Sequence, residues 1–563
     1  MKSRRTQWAP RQFSPRRSRG APRDWAFWVQ VSGLVGFWMF VATIWGWFGY
    51  RTLELLRLGD VWQPAIVLGV VVSTLFVVYA SVLTYLFVRL GAAADGPAPD
   101  LPIDSIEEKL TEGVLKPWSW RYKLTVGILA GLFAWALYCW YREVHEGLGV
   151  TGLGRPIFWG LFITDFVFFI GISHAGTLVS AILRLAQAEW RRAITRSAEA
   201  ITVLVLFFGA WSILLDLGRI DRILNVFESG RMESPLLWDV CSITTYLFGS
   251  TIYLYLPLIP DLALLRRRVT GIRKPLYHLM SFGWTGTEKQ KHALERAIGV
   301  MAVVVLPVAV SVHTVVSWVF SMTIQPLWHS TVFGPYFVAG AIFSGIAALL
   351  IAMAIVRRFM GLERFLKPVH FNYLGMLLFV MTCLWGYFTT CEFLTAFYGD
   401  EPTERHILHE KLVGGFAPLI WTMVVCCFVI PIAILARKKT RSVTGCVVAS
   451  CTILVGMWIE RYTIVVPTLQ RPRLEEYASA SYFPTFLEWS LLVGACAGFC
   501  LLYVLFARLF PIISIWEVRE GREEAPEQVA ERVRDYFPTA EEPAAVGLRR
   551  PSAEKTAGIG ARR

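Results

Sequence analysis

Charge is what this sequence has least of. Asp, Glu, Lys and Arg make up 17% of its 563 residues, against 55% hydrophobic ones, and mean hydropathy is +0.50. A water-soluble domain carries roughly a quarter charged residues, so this chain is not built to face water on all sides. Paired cysteine motifs are missing too. The ten cysteines form no CxxC or CxxCH, which argues against structural disulfides, an iron–sulfur cluster or a c-type haem held by this chain. No glycine-rich phosphate loop stands in a plausible context, so the chain carries no nucleotide engine. The excess of Lys and Arg gives a net charge of +13. It collects in short clusters between apolar runs, which points to membrane orientation and contact with membrane lipid, not to nucleic acid.

What is present is a series of apolar runs near the ~20 residues needed to cross ~30 Å of hydrocarbon as a helix. Twelve are read: 25–50, 62–90, 124–141, 156–185, 196–217, 235–265, 297–321, 330–356, 372–398, 412–436, 442–467 and 484–511. The clusters "WRRAITR" (Trp190–Arg196), "RRRVTGIRK" (Arg266–Lys274) and "ARKKTR" (Ala436–Arg441) all fall on one side when the connections are allotted alternately. By the positive-inside bias that side is cytoplasmic, and both termini lie there. The basic, Pro-containing stretch 1–24 is read as a cytoplasmic tail ahead of a retained first span. Residues 25–90 form two helices, 91–121 a cytoplasmic linker, and 513–563 a charged cytoplasmic tail without fixed structure, save a short helix near "PEQVAERVRDYF".

Two phrases resemble each other, "SPLLWD" (Ser234–Asp239) and "APLIWT" (Ala417–Thr422), four spans apart. They point to two parallel four-helix bundles, spans 4–7 and 8–11, with flanking helices. The fold class expected is an all-α polytopic membrane protein of about twelve transmembrane helices.

Polar groups inside spans are functional candidates, because each costs several kcal/mol unless paired. "DFVFFIGISHAGTL" (Asp165–Leu178) holds two of them, Asp165 and His174. They are nine residues apart, about two and a half helical turns, so they face opposite sides of the helix and must meet different neighbours. Asp165 is expected near Asp216 and Arg219 at the end of span 5, and near Asp239, Arg231 and Glu233 at the start of span 6. Such a crowd would have shifted, coupled proton affinities, as a proton-handling site requires; interfacial salt bridging is the plainer reading for Arg231 and Glu233. His174 pairs in depth with His313 of span 7. Two such histidines could hold a b-type haem, but no span shows the paired histidines of a dihaem bundle, so a proton relay or a quinone contact is preferred. Glu199, Asp261, Glu392 and Glu460 complete the relay candidates, with buried structural pairing as the alternative for each.

"DFVFFIGISHAGTLVSAIL", "RSAEAITVLVLF", "SPLLWDVCSITTYL", "LPLIPDLALLRRR", "SVHTVVSWVFSMTIQPLWHSTVFGPYFVAGAIFSG" and "GMWIERYTIVVPTL" together resemble the NrfD/PsrC-like family of integral quinone-handling subunits. Among these, the sequence is most similar to the ActC-type quinol-oxidising subunit of bacterial alternative complex III. The resemblance covers about residues 120–512 and implies a ten-helix core over 122–512, with spans 1–2 additional to it. It also implies a place in the bacterial cytoplasmic membrane. The substrate implied is a quinol, menaquinol first, bound near the outer face. No haem, iron–sulfur cluster or metal would belong to this chain. Electrons would pass to a partner iron–sulfur/molybdopterin-like peripheral subunit, then to haem c subunits, with a second NrfD-like membrane subunit in the complex. Asp165, His174, Asp216 and Asp239 would be catalytic, and Asp165, His174, Arg219 and Asp239 would bind the quinol. Glu199, Asp261, His313, Glu392 and Glu460 would relay protons, with proton translocation as a further expectation. Asp216 stands where the family more often has His. Two alternatives remain: a quinone-reducing anchor of a molybdopterin/iron–sulfur reductase, and an ion-coupled secondary transporter. The transporter reading lacks a six-plus-six repeat.

Overall fold

The structure, a computed structural model, describes residues 105–186, 188–231, 233–471 and 480–523. The tail 1–24, spans 1–2 and most of the 91–121 linker lie outside the described residues, as does the helix expected at 526–537. The described part of the unit Met1–Ser514 is helical, with ten helices long and apolar enough to cross a membrane. A separate unit, Ile515–Arg563, is described only as far as one short helix, Ile515–Glu523, inside the tail expected to lack structure.

A helix α1 (Ser105–Leu115) lies within the stretch read as linker. Leu110 and Val114, one turn apart, are among its buried positions. The ten long helices are α2 (Trp120–Glu146), α3 (Leu161–Leu185), α4 (Thr195–Leu217), α5 (Pro235–Leu265), α7 (Glu288–Ser321), α8 (Phe333–Phe359), α9 (Pro368–Gly399), α11 (Ala417–Leu435), α12 (Val443–Leu469) and α13 (Phe486–Leu509). Short helices α6 (Arg273–Met280) and α10 (Pro402–Leu412) sit in connections. The shortest long helix, 19 residues, covers about 28 Å at 1.5 Å per residue. Successive connections alternate between a basic end, holding Arg266–Arg268 and Arg437–Lys439, and a far end. At the basic end Ser119, Thr287 and Ser442 accept the backbone N–H of Tyr122, Gln290 and Gly445, capping α2, α7 and α12.

Helices α3, α4, α5 and α7 pack in a closed ring, and α8, α9, α11 and α12 pack in a second. The two related phrases open the third helix of each ring, with Pro235 and Pro418 in the first turn, where a missing N–H costs nothing. The rings meet through α3, which packs on both α8 and α12. Close approach needs small residues. A Cβ added to Gly176 of α3 would lie 2.0 Å from the Ala198 carbonyl oxygen of α4. Outside the rings α2 and α13 pair with each other, and α13 packs on α4.

At the basic end Arg196 is clamped inside the first ring. It pairs with Asp261, each side chain 1% exposed, and donates to the Pro257 carbonyl (2.7 Å), Ser514 Oγ (3.0 Å) and the Pro511 carbonyl (3.2 Å). Removing one partner strands the other charge. Arg196→Met is expected to cost about 3–5 kcal/mol in reversible unfolding from detergent. The double variant Arg196→Met/Asp261→Leu is expected to recover most of that loss.

Candidate functional site

Because α3 is enclosed by helices of both rings, its two ionisable groups are sealed from water: Asp165 is 3% exposed and His174 0%. They face opposite ways, as their spacing predicts. Asp165 turns to the second ring, where Trp458 Nε1–H of α12 donates to its Oδ1 at 2.9 Å. His174 turns to the first. Its Nδ1 lies 2.8 Å from the Ile170 carbonyl and its Nε2 2.6 Å from the Ala309 carbonyl of α7. Both neighbours are acceptors, and a neutral imidazole has one N–H, so only the protonated ring satisfies both.

His313 of α7 meets His174 edge to face, with ring centroids 4.2 Å apart; Tyr246 lies 5.0 Å away on another side. At 4.2 Å the two imidazoles leave no gap for a porphyrin between them. His313 is fully buried, and neither ring nitrogen has a hydrogen-bond partner among the described residues. The charge of Arg461 on α12 reaches His313. That guanidinium lies 4.7 Å over the Phe337 ring, with Nη1 3.1 Å from Glu460 Oε2, while Trp385 Nε1–H donates to Glu460 Oε1 at 2.8 Å. A line of polar groups thus crosses from α3 through α7 to α12.

The far-end carboxylates divide differently from the expected crowd. Glu488, in the first turn of α13, accepts from Tyr482 Oη (2.5 Å), Gly152 N (2.9 Å), Thr485 N (2.7 Å) and Thr485 Oγ1 (2.9 Å). Tyr482 Oη in turn accepts the N–H of Leu161 at 2.8 Å, one of the donors that every helix start leaves over. Asp165 lies within reach of the Glu488 charge. So does Glu143 of α2, which also senses Asp216; Glu143 is fully buried, and neither carboxylate oxygen has a hydrogen-bond partner among the described residues. Asp216 is half-buried near the end of α4. Asp239, buried near the start of α5, has no partner on Oδ1 among the described residues. Arg219 does not join these acids. Gly218 (φ +62°) ends α4 and turns the chain outward, leaving Arg219 62% exposed and paired with Asp221 at 2.6 Å. Arg231 and Glu233 are exposed as well.

The other relay candidates are scattered. Glu199 accepts from Ser180 Oγ at 2.6 Å near the basic end, and Asp261 is taken up by Arg196. Glu392 lines a small cavity in the second ring with Lys411, Glu460 and Tyr336; its water-accessible volume is about 30 Å³, room for a water or two. At the far end His329, Glu401 and Glu404 bring one ligand atom each to within 4.8 Å of one another, but His329 is exposed and already pairs with Glu404 at 3.2 Å.

Sequence reasoning misses Glu143, Glu488 and Arg461. A third span ending at 141 stops two residues before Glu143. For Glu488 the available signal is the capping box from Thr485, and for Arg461 it is the adjacent acid and base in "WIERY".

Burial pushes the Lys411 ammonium of α10 down to about 8, with part of the drop offset by Glu392. The folded chain holds that proton less tightly than free lysine. The charge therefore costs stability below about pH 8, and the cost is relieved as pH rises toward ~10.4. A ¹³C-lysine NMR titration is expected to show one side chain with a midpoint near pH 8, absent in Lys411→Met. A midpoint near ~10.4 would contradict it.

Comparison with known proteins places these features. The profile of the family described as "Polysulphide reductase, NrfD" matches residues 149–473. A protein of Halobacterium salinarum, named as the membrane subunit of a dimethyl sulfoxide reductase, is 26% identical over 408 residues, 69% of this chain and 91% of its own length. The Hdr-like menaquinol oxidoreductase integral membrane subunit of Archaeoglobus fulgidus is 24% identical over 446 residues, 75% of this chain and all of its own. The menaquinone reductase integral membrane subunit of Nitratidesulfovibrio vulgaris is 23% identical over 435 residues, 73% of this chain and 96% of its own.

Proposed function

Since the chain belongs to the NrfD family, we propose that it is the quinol-oxidising membrane subunit of a respiratory oxidoreductase complex of the bacterial cytoplasmic membrane. The observation that carries the reading is the buried far-end group of Asp165 on α3, Glu143 on α2 and Glu488 on α13, in which the Glu488 charge reaches both other acids. The names of two relatives, a menaquinol oxidoreductase subunit and a menaquinone reductase subunit, support menaquinol as the substrate. The basic end faces the cytoplasm, which puts this group toward the outer face.

Oxidation of one quinol releases two electrons and two protons. The electrons leave to an iron–sulfur centre on a peripheral partner, and onward to haem c subunits as in alternative complex III. The protons need acceptors beside the headgroup. Asp165, held by Trp458, is oriented to take one, and Glu143, with two free oxygens and Asp216 nearby, is placed to take the other. Asp239 is a further pocket acid. The His174–His313 contact extends inward from this region, and the Glu460–Arg461 pair extends sideways into the second ring, as a route for protons.

The name of the Nitratidesulfovibrio vulgaris relative favours a second reading, in which electrons flow from the partner into quinone through the same residues. Both are tested on the complex purified gently from its native membrane. Added menaquinol is expected to reduce co-purifying iron–sulfur and haem c centres. Asp165→Asn and Glu143→Gln are each expected to lower kcat about a hundredfold in complexes that assemble normally. Unchanged turnover in both variants would overturn the assignment. Turnover only from a reduced partner to menaquinone would select the reverse direction.

A further inference from the structure

A second cavity lies at the basic end, and none of the candidate quinol or relay residues lines it. It is open, has a volume of about 500 Å³, and is lined by Arg266, Arg267, Lys274, Pro275 and His278. No carboxylate is among its lining residues. Like charges in one concavity repel, and burial together with the Arg267 charge pulls the Arg266 proton affinity down. Arg266 is nevertheless held in place, with Nη1 donating to the buried Ser281 Oγ at 3.2 Å. The other wall, α6, is anchored. Tyr277 is buried, donates to the Leu509 carbonyl, and stacks on Phe510 with centroids 6.3 Å apart. The same segment leaves two apolar side chains uncovered, Ile272 at 89% exposed and Leu276 at 38%.

A basic cluster on this side of a membrane protein is ordinary and serves orientation. A concave one, with a fixed arginine and exposed aliphatic side chains beside it, is more specific. Cations to meet a phosphate and apolar side chains to meet acyl chains, together at the end of a membrane span, match one kind of molecule. We infer that the Arg266–Arg267–Lys274–His278 cavity binds the headgroup of an anionic phospholipid, with α6 lying among its acyl chains. The inference does not depend on the quinol reading. A soluble phosphate shares the headgroup chemistry but gains nothing from Ile272 and Leu276.

The test uses the full chain in its native complex, delipidated in mild detergent and given phosphatidylglycerol or phosphatidylcholine, with bound lipid counted by native mass spectrometry. Wild type is expected to retain phosphatidylglycerol and not phosphatidylcholine, and 10 mM inorganic phosphate is expected not to displace it (that concentration being roughly the upper physiological range, where a genuine free-anion site would fill). Arg266→Gln/Arg267→Gln/Lys274→Gln is expected to weaken retention about fivefold per cation removed, roughly a hundredfold in all. Arg357→Gln/Arg358→Gln, at another basic connection, is the control expected to retain the lipid. Leu276→Ser, which leaves every cation in place, is expected to weaken retention as well. Equal retention by wild type and the triple variant overturns the site. Displacement by phosphate, with no effect of Leu276→Ser, overturns the lipid and leaves a free-anion site. A complex carrying a protein over this face that excludes lipid also overturns it.

Discussion

Helix α3 can carry an acid and an imidazole half a turn out of phase only because, from Leu161 to Ala181, its described side chains are almost all buried in protein. Four helices from both rings enclose it, so Asp165 and His174 each point into protein. That enclosure sets much of what surrounds it. Gly176 must stay small for α4 to approach, and the N–H of Leu161 must be met by Tyr482, since water does not reach it. The two rings can share one helix only if its faces are divided between them. The nine-residue spacing makes that division.

The buried polar groups fall into two kinds. Arg196 and Asp261 are tied to each other, and the guanidinium also to two prolyl carbonyls and a serine hydroxyl, an arrangement whose many contacts hold a fold together. His313, Glu143 and Asp239 are the opposite case, with buried polar atoms left without protein partners among the described residues. An unsatisfied buried group costs stability, and a chain retains it where something other than protein completes it part of the time. The quinol reading draws on this second kind through Glu143 and Asp239.

The long helices were legible in the sequence because hydrocarbon thickness imposes a length on them, and the repeat was legible because a proline opens the same helix in each ring. The opposed faces of Asp165 and His174 followed from counting residues. What each face meets did not follow. Trp458 lies 293 residues from Asp165, and no local pattern announces a contact across that distance. Arg219 misled because closeness in sequence to Asp216 is undone by one left-handed glycine. Glu143 was hidden by its neighbours: "YCWYREVHE" reads as the aromatic and charged edge of a membrane, whereas α2 runs on through it to Glu146. Helix α1 was hidden by composition, since two buried aliphatic residues one turn apart are a faint signal inside an acidic linker.

The pairing of α2 with α13 bears on how the chain is made. A Cβ on Gly494 would fall 1.9 Å from Ala136 Cβ, so the two helices fit backbone to backbone, and Arg508 at the end of α13 donates to the carbonyls of Gly113, Lys116 (2.5 Å) and Pro117 (2.9 Å) just before α2. The ribosome delivers the first of these ten helices long before the last. Until α13 emerges, α2 meets α4 only through ring contacts of Phe133 and Trp140 among the described long helices, and the carbonyls ahead of it lack the arginine that later ties them down. Both rings can therefore close while synthesis continues, but the seam between the two ends of the ten-helix unit is sewn only by its final helix. Biogenesis of this protein has its completion step built into the end of that unit.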